Sequence, residues 1–292
     1  MSVAGTGKFN FHDISRLFVF GDSYTATGFN ISGTQPSDSN ILGNPPFPGW
    51  SWPNGGNWLT ELVSVYNKTT TFTYNLAYGG ATTNKGFIPP YASTVLCLDG
   101  QVQTEFLPVY AGNGIQRVWD PKETLFAIWI GVNDVGWSSG WSNMTDPVSR
   151  IKTYNIIISY YTSYVQQLYN AGARNFLFLN CPATYLSPSA SSNSAFFKVL
   201  NQAYNSVLYT QVTALFKKLP YANYAFFDTF ALFEQVYFNA QSYGITNLTG
   251  YATQVTPNYP YNQSYFWLDA LHPNTVVHKV ISKTVAEQVF GV

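Results

Sequence analysis

Charge is scarce in this chain: Asp, Glu, Lys and Arg make up 10% of its 292 residues, with fourteen basic residues against fourteen acidic and a net charge of zero. No cluster of Lys or Arg supplies the positive surface that a phosphate backbone requires, which excludes nucleic acid as an expected partner. Histidine (three) and cysteine (two) are equally sparse. With no His-x-x-x-His pattern and no close Cys pair, a metal centre has no support. Cys97 and Cys181 are too few for a disulfide scaffold. Whether they pair with each other depends on spatial geometry and stays open. The motifs Gly-x-Gly-x-x-Gly and Gly-x-x-x-x-Gly-Lys-Ser/Thr are missing, which speaks against a dinucleotide site and a P-loop, so no cofactor is expected. No apolar run reaches the roughly 18 residues of a membrane-spanning helix.

Apolar surface, by contrast, is ample. Residues of the AVILMFWYC set make up 46% and aromatics 18%, so the solvent face must be covered largely by Ser, Thr, Asn, Gln and Tyr. Most aromatic rings are expected to pack in the core, with a few left to face a ligand. The length suits one large α/β domain over residues 1–292, expected to act as a monomer. The amino terminus, MSVAGTGKFNFHD, lacks the apolar core of a signal peptide, so the protein is either cytosolic or has lost its signal. Five Asn-x-Ser/Thr sequons, at Asn30, Asn67, Asn143, Asn247 and Asn262, barely exceed what chance supplies in a chain of this composition. With the low charge they favour a secreted protein.

Strand and helix patterns alternate along the chain. Leu17 to Phe20 reads as a strand ending in Gly21-Asp22-Ser23, and Thr71 to Leu76 as one running into Ala77-Tyr78-Gly79-Gly80. Leu125 to Gly131 is continuously apolar, as a strand covered on both faces should be, and Val132-Asn133-Asp134 follows at once. Phe176 to Leu179 and Tyr224 to Phe227 complete five strands. Helical spacing covers Asn57 to Tyr66, Pro147 to about Gly172, Asn193 to Lys218 and Thr275 to Phe290. This order predicts a three-layer α/β/α sandwich with a mainly parallel five-stranded sheet of the flavodoxin-like kind. Residues 30–57 and 239–266 read as irregular loop insertions.

Three strand ends thus carry Ser23, Gly80 and Asn133, and a loop before the last helix carries Asp269 and His272. Each motif alone has an ordinary explanation: Gly-Asp-Ser is a turn with a cap, Gly-Gly a tight turn, and Asp-x-x-His-Pro a cap beside a surface histidine. Together they form the set that acyl transfer needs: a hydroxyl nucleophile, an imidazole to take its proton, a carboxylate to fix the imidazole tautomer, and donors for the oxyanion. Asp269 and His272, three residues apart, are expected to meet across one turn of helix. His12 and His278 fall in no motif and are expected at the surface or at a cap. Trp137 and Trp141, just past Asn133, stand where a substrate can stack, although core packing accounts for them equally well.

The runs FVFGDSYTATG, NLAYGGAT, IWIGVNDVG and LDALHPN resemble the four diagnostic blocks of the SGNH (GDSL-type) hydrolases and span Phe18 to Asn274. The block spacing and the run YGGATT are similar to the fungal acetylesterases of carbohydrate esterase family 16. The resemblance implies Ser23 as nucleophile, the Ser23 and Gly80 backbone NH groups and the Asn133 side chain as oxyanion donors, His272 as base and then acid, and Asp269 as its orienting carboxylate. Asp22 joins Trp137 and Trp141 as a weaker substrate-binding candidate. The implied reaction is removal of acetyl groups from carbohydrate such as xylo-oligosaccharides. The competing readings are a lipase or phospholipase with the same residues, and a carbohydrate-binding pseudoenzyme.

Overall fold

The computed structural model describes residues 4–5, 9–53, 55–67, 69–111, 119–254 and 261–292. Its strands are β1 (Ala4–Gly5), β2 (Arg16–Gly21), β3 (Phe72–Asn75), β4 (Thr124–Trp129), β5 (Asn175–Leu179), β6 (Asn223–Phe227), β7 (Asn247–Tyr251) and β8 (Tyr265–Trp267). Six of them form one sheet in the order β1-β6-β5-β4-β2-β3. The five expected strands are all present and mutually parallel. They are joined by a strand the sequence did not suggest, the two-residue β1, antiparallel to β6.

The helices are α1 (Trp58–Glu61), α2 (Leu98–Gly100), α3 (Leu107–Tyr110), α4 (Val132–Ser138), α5 (Pro147–Asn170), α6 (Ser194–Phe216), α7 (Thr229–Phe238) and α8 (Thr275–Val285). On one layer α5 packs against α6 and α2, while α1 packs against α8. Covered on both faces, β4 and β5 are buried at every position, which is why their sequences lack any alternation of apolar and polar residues. The helix ends follow their caps. Asp146 accepts from the Ser149 NH at 2.7 Å ahead of Pro147, and Asn57 and Thr60 form a reciprocal capping box on α1. The segments read as single helices from Asn57 and to Phe290 instead divide, each passing into a π-helical turn, at Leu62–Tyr66 and Ala286–Phe290.

Most rings pack, as expected. Phe18 alone lies within ring-contact distance of Tyr74, Phe106, Tyr110, Trp119 and Phe126. α7 occupies Thr229–Phe238, between the fifth strand and the insertion 239–266, where the sequence marked no element. One expectation fails: that insertion is not wholly irregular, because β7 and β8 pair in parallel across it. The pairing spans residues far apart in sequence, and neither strand has a strong period of its own. Cys97 and Cys181 are both buried and free, so no disulfide joins them. Among the described residues no helix is long and apolar enough to cross a membrane.

Candidate active site

Strand order places the site. The order of strand addition reverses at β2 and β4: β3 lies on one side of this neighbouring parallel pair and β5 on the other. A crevice opens at the carboxyl ends of strands where the connections diverge in this way. Ser23 follows β2 and Asn133 follows β4, so the crevice brings them together.

The Ser23 turn is held by backbone bonds. Thr25 N and Ala26 N both donate to Asp22 O, at 3.0 and 2.9 Å. Gln101, buried, clamps Gly21 from both sides: Gly21 N donates to its Oε1 at 2.9 Å and its Nε2 donates to Gly21 O at 2.8 Å. A side chain at position 21 has no room, since a Cβ there would stand 2.4 Å from Trp129 O. Asp22 itself is buried beneath the turn, with Oδ1 accepting from Tyr24 N at 3.0 Å. Burial pushes its carboxyl up to about 7, with the Tyr24 NH opposing and the nearby Asp134 charge adding to the rise. Asp22 is buried and is not among the residues that line the cavities at Ser23, so the structure gives it no surface to offer a substrate.

Gly80 adopts φ +77°, and a Cβ there would lie 2.3 Å from that of Tyr91, so both backbone and space demand glycine. Asn133 sits in the first turn of α4 and donates through Nδ2 to Ala81 O at 2.8 Å. An amide carries two hydrogens, so one remains for another acceptor. Its neighbour Asp134, for which the sequence suggests no role, joins the two loops: both its oxygens accept from Thr83 N, at 3.0 and 3.1 Å. Burial raises its carboxyl to about 6 against the Thr83 bonds.

His272 completes the set. Its Nε2 lies 2.8 Å from Ser23 Oγ, and its Nδ1 lies 2.8 and 3.0 Å from the two oxygens of Asp269. The spacing works differently from expectation. Asp269 and His272 lie in a loop before α8, not on a helical turn. Asp269 Oδ1 closes that loop by accepting from the NH groups of Leu271 and His272, both at 2.8 Å, as short polar side chains do in turns. Burial alone would raise the Asp269 carboxyl, but the hydrogen bonds and charge of His272, with the two backbone NH groups, bring it down to about 2. Below the loop, Leu268 N donates to His272 O at 2.8 Å and Trp267 of β8 bridges to Pro273. The insertion strands thus brace the His272 loop.

The remaining assignments divide. Trp137 lines a cavity of about 630 Å³ together with Ser23, Gly80, Asn133 and His272. Trp141 does not; it is half-buried and meets Phe87 edge-on at 5.8 Å. His12 is exposed. His278 is not at the surface: it is buried, accepts at Nδ1 from Trp58 N at 3.3 Å and so caps α1, and burial, with His272 adding, drives its pKa down to about 3. Gln101 and Tyr91 carried no motif that marks them. Among the described residues no group of three or more His, Cys, Asp or Glu is placed to hold a metal ion.

Residues 17–285 match the family model described as GDSL-like Lipase/Acylhydrolase. The chain is 35% identical over 279 residues to an acetylesterase of Thermothelomyces thermophilus, covering 93% of this chain and 87% of that one. It is 23% identical over 330 residues to an acetylesterase of Hypocrea jecorina, at 96% and 90% coverage. In fold it resembles an acetylxylan esterase from Geobacillus stearothermophilus, with a TM-score of 0.53 at 15% identity over 98% of this chain and 95% of that one. With the blocks around Ser23, Gly80, Asn133 and His272 gathered at one sheet edge, this chain belongs to the GDSL-like lipase/acylhydrolase family.

Proposed function

We propose that this protein is a serine esterase that removes acetyl groups from carbohydrate, with acetylated xylo-oligosaccharides as the expected substrate class. The observation that carries the reading is the unbroken chain Ser23 Oγ, His272 Nε2, His272 Nδ1, Asp269 Oδ2, with both links at 2.8 Å, at the edge of a cavity that Gly80 and Asn133 also line. The acetylesterase relatives support the acyl group.

In this reading Ser23 Oγ attacks the ester carbonyl carbon while its proton passes to His272 Nε2. The carbonyl π pair moves to the oxygen, which takes hydrogen bonds from the Ser23 and Gly80 NH groups and from the second Asn133 amide hydrogen. Asp269, held ionised, keeps the imidazole in the tautomer with Nε2 free and balances the imidazolium that forms. His272 then protonates the departing sugar oxygen as the ester C–O bond breaks. Water, deprotonated by the same imidazole, attacks the acyl-enzyme; acetate leaves and Ser23 regains its proton. No cofactor enters these steps. We place this chemistry in a single domain over residues 1–292 of a secreted, monomeric protein, consistent with the sequons at Asn30, Asn143 and Asn262, which are exposed.

One observation favours a second reading. The cavity is larger than an acetyl group needs, and Val132, Ala190, Phe197 and Leu271 give it an apolar wall, which suits a longer acyl chain and a lipid ester. Hydrolysis of p-nitrophenyl acetate against p-nitrophenyl octanoate, with acetylated xylo-oligosaccharide as third substrate, separates the two. Sharp loss beyond butyrate with acetate released from the sugar is expected. Preference for octanoate without sugar deacetylation would sink the carbohydrate reading and leave the serine chemistry standing.

A further inference from the structure

We propose that Trp52 is a positioning residue of the catalytic base, a fourth member of the Ser23–His272–Asp269 chain supplied by the insertion 30–57. The inference rests on the reading of His272 as the base. Trp52 Nε1 donates to Asp269 Oδ2 at 2.6 Å, the same oxygen that faces His272 Nδ1 at 2.8 Å. Its ring lies over the His272 ring, with centroids 4.6 Å apart and planes 32° from parallel. One side chain therefore touches both members of the pair. The touch is directed: although Trp52 is about half exposed, its neighbours Ser51 and Pro53 are buried, which pins the backbone on either side.

Each contact has its own consequence. A charge-assisted donor on the carboxylate fixes the oxygen that must face Nδ1 and favours the ionised form of Asp269. When the Ser23 proton reaches Nε2 the imidazole becomes a cation, and an indole face at this distance stabilises a cation. The ring contact is strongest in the transition state, where the imidazolium charge develops, and the donor holds the carboxylate in line for Nδ1, so both act on turnover more than on ground-state binding. The other titratable groups near the pair are Tyr24, whose hydroxyl donates to Leu271 O at 2.6 Å, and the buried His278 beyond its ring. Neither touches Asp269 through a hydrogen bond of its own. Trp52 also walls two cavities that meet at Ser23, the one with the oxyanion donors and a second of about 490 Å³ lined by Phe29 and Trp50. A role limited to stacking substrate is therefore the alternative that the test must separate.

The test uses Trp52→Phe, which keeps a ring over His272 and deletes the N–H, and Trp52→Ala, which removes both. Rates on p-nitrophenyl acetate are normalised to the fraction of enzyme whose Ser23 an organophosphate titrates, so loss of folded protein does not count as loss of turnover. Trp52→Phe is expected to lower kcat about 10- to 100-fold with KM little changed, and to move the acid limb of kcat/KM to higher pH, because Asp269 without its donor pairs more strongly with the imidazolium. Trp52→Ala is expected to lower kcat further. Wild-type kcat and an unmoved limb in Trp52→Phe would overturn the proposal, as would a defect confined to KM for acetylated oligosaccharide. Ser23→Ala run in parallel tells the two readings apart: if it keeps its activity, the serine mechanism falls and this inference with it.

Discussion

The two halves of the site are held by different means. Ser23, Gly80 and Asn133 stand on strand ends and are fixed by backbone geometry: the Asp22 turn, the Gln101 clamp on Gly21, the left-handed Gly80, and the Asp134 tie to Thr83. Asp269 and His272 stand on a loop and are fixed by side chains and by the insertions: Trp52 from residues 30–57, and the β7–β8 pair through the Trp267–Pro273 bridge. The parallel sheet thus places Ser23, Gly80 and Asn133, while the insertions hold Asp269 and His272. The first arrangement depends on the sheet and its turns, the second on contacts with the insertions.

Substitutions on each half sharpen this contrast. The largest effect is expected for Ser23→Ala, which removes the attacking oxygen and should lower turnover on p-nitrophenyl acetate by about 10⁴-fold or more without unfolding the chain; a loss of less than tenfold would refute the mechanism. Asn133→Ala leaves Ser23 and His272 in place and removes one oxyanion donor, so a fall of about 10²- to 10³-fold in kcat is expected, with KM nearly unchanged. Asp134→Ala acts at one remove. It leaves the buried Thr83 NH without its acceptor, at about 1–3 kcal/mol of stability, and loosens the link between the two loops; chemical denaturation and kcat measured together should both fall, and wild-type values in both would show that the tie is dispensable.

The smallest change expected is in the pH dependence of stability. Asp22 sits at about 7 in the fold against 3.8 for the ordinary side chain. Between those values the unfolded chain gives up a proton that the folded one keeps, so stability drains away as pH rises through the window. His278 works in the opposite sense. At about 3 against 6.5, it contributes fully above pH 6.5 and loses that contribution as pH falls. The two windows overlap, so between pH 4 and 6.5 the slopes oppose each other, and Asp22→Asn should make stability in thermal melts rise with pH across that range more steeply than in the unaltered protein. An unaltered slope would mean that Asp22 does not carry this linkage.

Much of this arrangement was legible from residue order alone. Five strands and the long helices α5 and α6 were marked by continuous apolar runs and by 3.6-residue periods, because a strand covered on both faces has no polar alternation to show. Ser23, Gly80, Asn133, Asp269 and His272 were marked by recurring short blocks. What was missed had no local signal. Trp137 and Trp141 lie four residues apart with similar neighbours, yet one lines the cavity and the other packs on Phe87. His278 was open between the surface and a cap because the partner that makes it a cap, the Trp58 NH, lies 220 residues away in the chain. Trp52 and Gln101 gained their roles from contacts across 217 and 80 residues.

By itself, then, the sequence determined the family, the parallel sheet and the identities of the groups aligned at its edge, since periodicity, turn chemistry and short motifs are local properties of the chain. Only the tertiary structure decided which buried carboxyls are structural, which aromatic rings reach the cleft, that both cysteines stay free, and how the base is braced. Those outcomes depend on distances between segments remote in sequence, and burial and hydrogen bonding act through such distances and not through position along the chain.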